Sequence, residues 1–78
     1  MDTIEGRWLI FRERCLHTDA PPLQVSEMRI AFYAGVQQML NFNLEIADMP
    51  EHDAMRALER LHKEARHFGE TLTREAQQ

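Results

Sequence analysis

Four histidines, one cysteine and thirteen carboxylates are the side chains in this chain with most chemistry to offer. Their spacing decides whether they can offer it. The run His62-Lys63-Glu64-Ala65-Arg66-His67 resembles in composition a zinc-protease helix, whose two histidines lie four apart on one face with a glutamate as base. Here the histidines are five positions apart. At 100° per residue they diverge by about 140° around a helix. His52, His62 and His67 therefore read as solvated surface residues, and no metal site is expected. Cys15 has His17 two residues on, which falls on a different face while the helix continues. A nucleophile needs its base within hydrogen-bond reach, so Cys15 reads as a small buried hydrophobe. Glu51 and Asp53 sit at a helix start, where the dipole already accounts for paired carboxylates. The three glycines are scattered and build no phosphate-cradling loop. No catalytic residue and no cofactor are expected, and the chain reads as non-enzymatic.

The remaining candidates are charged and apolar surfaces. Arg56, Arg60 and Lys63 fall at helical spacing and form a narrow basic ridge, with Arg66 and Arg74 further along. Glu59, Glu64 and Glu70 interleave with them. Glu59 with Lys63, Arg60 with Glu64 and Glu70 with Arg74 are placed for i,i+4 pairing, so a salt-bridged, solvated face is the expected reading. A net charge of −4 weighs against wholesale binding of a phosphate backbone. Nucleic acid is therefore a less favoured partner, through these arginines or through Arg7 and Arg14.

The elements that carry these residues are helices. Apolar residues are 44% of the chain and charged residues 28%, the balance of a globular protein. Ile4, Trp8, Phe11 and Cys15 step by four, three and four, which predicts a first helix over about 3–16. Asp2 is placed to cap it, with Glu5 completing a capping box. The consecutive prolines Pro21 and Pro22 end that pattern. Val25, Met28, Phe32, Gly35, Met39, Phe42, Ile46 and Met49 then alternate spacings of three and four, a heptad seam on a second helix over about 23–47. Arg29, Tyr33, Val36, Leu40 and Ala47 thicken its apolar face. After Asp48-Met49-Pro50, a third helix over about 50–75 carries Ala54, Leu58, Leu61, Ala65, Phe68 and Leu72 on one stripe. Gly69 is expected to fray it, and the polar end 73–78 to be loose.

The expected architecture is a single all-α domain over 1–78. Its two long helices form an antiparallel hairpin, since the connector between them is short, with a shorter N-terminal helix alongside. A chain of 78 residues buries only about 60% of its unfolded surface. One cysteine allows no internal disulfide, so self-association is the remaining remedy and a dimeric bundle is expected. Met28, Phe32, Tyr33, Gly35, Val36, Met39, Leu40, Phe42 and Ile46 are the expected dimer or partner interface, with Gly35 allowing close backbone approach. Trp8 and Phe11 are expected to dock the first helix. No apolar run approaches the ~20 residues of a membrane span, and the first residues lack the pattern of a signal peptide. The cytoplasm is the expected compartment.

Ala20-Pro21-Pro22, Val25 and the run Met28-Arg29-Ile30-Ala31-Phe32-Tyr33-Ala34-Gly35 carry a resemblance. They are similar to small uncharacterised helical proteins of tailed phages and prophages, in which a proline-containing connector precedes an Arg-x-Ala-Phe-Tyr-Ala-Gly helix. The likeness covers roughly the central twenty residues. It implies a phage or prophage gene in a bacterial cell, where small helical proteins often act by binding. A homodimer that modulates or inhibits a host factor is the function expected in that setting. A nucleic-acid-binding regulator and a minor assembly component are the alternatives.

Overall fold

The computed structural model describes residues 2–76. They form three helices, α1 (Ile4–Cys15), α2 (Pro22–Ala47) and α3 (Glu51–Ala76), and among the described residues there is no strand. The chain divides into two compact units, Met1–Phe42 and Asn43–Gln78.

In the first unit, α1 begins one residue later than a capping box on Asp2 requires. Thr3 is the cap: its backbone is extended and its hydroxyl accepts from the Gly6 amide at 2.9 Å. With Ile4 as the first helical residue, the hydroxyl of Thr3 is the one that reaches the third amide. Asp2 instead meets Arg7 at 2.8 Å, and Glu5 turns away to α2. At the other end Leu16 is extended while its N–H still donates to the Arg12 carbonyl at 3.1 Å. The connector closes on itself through Ala20 N–H to the His17 carbonyl and Asp19 N–H to His17 Nδ1. Pro22 is then the first residue of α2, where its missing N–H is no loss and its fixed φ suits the helix. The Pro21 carbonyl accepts the first bond, from Val25.

Trp8 is the one large side chain fully buried among the described residues, at 1% exposure. Its ring centroid lies 5.9 Å from that of Phe11 and 5.7 Å from that of Phe32, and Phe11 and Phe32 are 5.4 Å apart. This tilted trio joins α1 to α2 as the four–three spacing of α1 requires. The contact does not extend along the whole stripe. Ile4 is 40% exposed, and Cys15 is an exposed free thiol rather than the buried hydrophobe its periodicity predicts. Leu16, just past the helix, takes a half-buried place instead. Periodicity identifies a face; where along it the neighbour makes contact depends on how the helices cross.

The second unit holds the end of α2, a tight connector and α3. Asp48 and Met49 donate to the Glu45 and Ile46 carbonyls, closing α2, and the Pro50 carbonyl accepts from Ala54 to open α3. Glu51 and Asp53 occupy the first turn of α3. Ala57 is buried at 7%, with Ala54 and Leu61 half-buried three before and four after it on the same face. Gly69 does not fray the helix, which continues to Ala76. Thr71 and Thr73 return their hydroxyls to the carbonyls of His67 and Gly69. Positions 77 and 78 of the expected loose end lie outside the described residues. The expected i,i+4 ion pairs are also absent: among the described residues no salt bridge forms on α3, and Arg56 meets His52 at 3.0 Å instead. On an exposed helix, ordering two long side chains offsets most of what the pair gains. No helix among the described residues is long and apolar enough to cross a membrane.

Candidate interaction surface

The residues expected at an interface separate into two sets. Met28, Phe32, Tyr33, Val36 and Ile46 are half-buried, whereas Gly35, Met39, Leu40 and Phe42 are exposed. Within the first unit the division has a cause. Trp8 is buried and Phe11 half-buried, and both stack on Phe32, so α1 already occupies the N-terminal half of the heptad seam. Past Phe32 the seam opens, with Met39 43% and Phe42 41% exposed. A Cβ built on Gly35 would meet nothing within 4 Å, so its backbone is open to approach.

Beside the aromatic trio lies a polar clamp that the sequence pattern does not reveal. Glu5 accepts from the Tyr33 hydroxyl at 2.7 Å and from the Arg29 guanidinium. Arg29 also sits over the Tyr33 ring, 5.7 Å from its centroid, and Tyr33 meets Phe32 edge-on at 6.1 Å. The Tyr33 phenol titrates above its usual range, first because it donates to the Glu5 carboxylate and then because it is partly buried. Arg29 is likewise held more firmly protonated, by hydrogen bonding to Tyr33 and by the charge of Glu5. The three groups fasten α1 to α2 through residues separated by 24 and 28 positions, a distance that helical periodicity cannot bridge.

A second stripe lies on the opposite side of α2. Leu23 and Ile30 are 70% and 68% exposed, among the most open large apolar side chains of the chain. They are seven residues apart, and the same step leads to Gln37 and then to Leu44, itself 71% exposed. The sequence carries this stripe as a seven-residue period, which the stronger Val25–Met49 pattern on the other side of the helix masks. α2 thus exposes apolar side chains on two opposite faces, with Gln24, Glu27, Gln38 and Glu45 between them. Among the described residues no three histidine, cysteine or acidic side chains converge as a metal site.

No protein-family model matches the sequence, no curated protein matches it, and no solved structure matches the fold.

Proposed function

We propose that this chain is a small accessory protein of the phage or prophage type that acts by protein–protein binding. It pairs with a second copy of itself and modulates or inhibits a bacterial host factor in the cytoplasm. In this reading α2 and α3 return on one another as an antiparallel hairpin across the short Asp48–Pro50 connector. The setting rests on the resemblance carried by residues 20–35.

The observation that supports binding is the exposure of large apolar side chains. Among the described residues, fourteen of them are exposed while only Trp8 and Ala57 are buried as a core. Covering a half-exposed side chain of this size stabilises by about 1 kcal/mol. Association itself costs about 4–15 kcal/mol, so an interface must gather several such residues from each partner. Met39, Leu40 and Phe42, at 43%, 46% and 41% exposure, lie within four positions of one another and begin such a set.

The test combines light scattering on the purified chain with affinity capture from bacterial lysate, repeated with Phe42→Asp. The expected result is a dimer mass and a stoichiometric bacterial protein that the variant fails to retain. A monomer that captures nothing would overturn the proposal. A second reading, a nucleic-acid-binding regulator, is favoured by one observation: Arg56, Arg60 and Lys63 have no carboxylate partner among the described residues. It requires duplex binding that weakens steeply as salt rises.

A further inference from the structure

We infer that the exposed ridge of α3 from His52 to Arg74 binds the phosphodiester backbone of a nucleic acid, independently of base sequence. This rests on the second reading above, nucleic-acid binding, and assigns its contact surface. It does not depend on self-association.

At about 100° per residue, seven positions of α3 between 52 and 74 fall within an arc of about 80°. Six of them are His52, Arg56, Arg60, Lys63, His67 and Arg74, and the seventh is Glu70. All seven are exposed, while the half-buried Ala54 and Leu61 lie roughly opposite. Because α3 runs unbroken through Gly69 to Ala76, the ridge keeps its line over about 33 Å. Arg56 and Arg60, and Arg60 and Lys63, are like-charged neighbours at four and three residues, a spacing that by itself destabilises a helix. Glu59, Glu64 and Glu70 stand four residues from Lys63, Arg60 and Arg74, yet none closes an ion pair among the described residues. Arg56 donates to the His52 ring at 3.0 Å. The ridge therefore keeps its positive charge and most of its donors for an outside anion.

Two features select a polyphosphate over an acidic protein. Exposed ion pairs between proteins contribute little, and protein interfaces draw their affinity from buried aromatic and apolar anchors. No such anchor lies within the arc. On a nucleic acid the same cations displace condensed counterions, so every phosphate contact adds affinity at low salt. The second feature is width. The ridge is one residue wide, with Glu59 at one margin and Asp53 and Glu64 at the other. A row bordered in this way matches a single line of phosphates. Its carboxylate margins keep the helix out of a groove, whose two walls are both phosphate. The arginines consequently meet backbone rather than base edges, and the arc holds no aromatic on which a base could stack.

The experiment is fluorescence anisotropy of a labelled mixed-sequence DNA duplex, and of one of its single strands, titrated with the full chain at several salt concentrations. The slope of log affinity against log salt is expected to be about −3 on the duplex, from three or four cations at about 0.9 each. Affinity should then fall roughly fifty- to a hundredfold between about 50 and 200 mM salt. Binding of either form supports the inference, and the tighter of the two identifies the source of the backbone. The triple variant Arg56→Gln/Arg60→Gln/Lys63→Gln should flatten the slope by about 1 per cation and weaken low-salt binding about tenfold or more. Arg7→Gln/Arg14→Gln on α1 should change neither, and circular dichroism confirms that each variant keeps its helices. Glu59→Gln/Glu64→Gln, which removes the negative margins, should tighten binding several-fold, a gain that partial unfolding does not produce. Duplex binding that survives the triple variant overturns the ridge and leaves nucleic-acid binding standing. Absence of binding to both strands and duplex at low salt overturns the two together. Polyglutamate that competes as strongly as unlabelled duplex overturns the choice of phosphate in favour of an acidic protein.

Discussion

Trp8→Ala is the substitution to which the first unit is most sensitive. The side chain is 1% exposed, and it stacks on Phe11 and Phe32 at centroid separations of 5.9 and 5.7 Å. Truncating a buried tryptophan to alanine costs about 3–5 kcal/mol, through lost transfer energy and the cavity left behind. The lost ring pairs add about 0.5–1.5 kcal/mol each. A domain of this length has a total stability of about 4–12 kcal/mol, so the change removes a third of it or more. The structure also says where the loss appears. α1 is twelve residues long, at the lower limit of what stays helical alone in water, so it persists only while docked. The variant should therefore lose the helicity of α1, roughly a fifth of the helical signal given the 26 residues in each of the other two helices. Urea unfolding followed by circular dichroism, with hydrogen exchange read residue by residue over Ile4–Cys15, measures both effects. Trp8→Phe, which keeps a ring in place, should recover most of the loss. If Trp8→Ala unfolds within about 1 kcal/mol of the wild type and keeps its α1 amides protected, the aromatic trio is not what holds α1 and the reasoning is refuted.

Three further outcomes follow from local geometry. Thr3→Ala should destabilise by about 1 kcal/mol, because the hydroxyl that accepts from Gly6 is lost, while Asp2→Ala, which removes only an exposed ion pair, should be close to neutral in the same urea titration. Tyr33 holds its proton more tightly folded than unfolded, so its contribution is complete below the unfolded value near 10 and is lost as pH rises through the higher folded value; thermal melts across that alkaline range should fall for the wild type and flatten in Tyr33→Phe. Gly69→Ala should stabilise α3 by about 0.5–1 kcal/mol, since the added methyl meets nothing within 4 Å and the helix no longer orders a glycine; a lower melting temperature would show that something covers that position in solution.

The three helices were legible in the sequence because each is written in local terms. Pro21 stands between α1 and α2, Pro22 opens α2, Pro50 precedes α3, and runs of three and four spacing lie between, so the helices end close to where the pattern places them. Trp8 and Phe11 were legible as docking residues for the same reason. The cap falls on Thr3, one residue later than the pattern places it, since Asp2 and Thr3 are equally good caps until the first helical turn is fixed. Cys15 is exposed where its periodicity predicts burial, because exposure depends on how far along a helix its neighbour reaches.

What the tertiary structure alone decided was the use of each face of α2. A heptad seam states that a helix has something to bury; it does not say which neighbour will cover it. Only once α1 is laid against Phe32, with Glu5 drawn to Arg29 and Tyr33 across 24 and 28 positions, is the Val25–Met49 seam half spent and the Leu23–Ile30 stripe left open. Helix formation is set by interactions within a few residues and is recorded in their spacing. The choice of partner face is set by contacts between distant segments, and no local period encodes it.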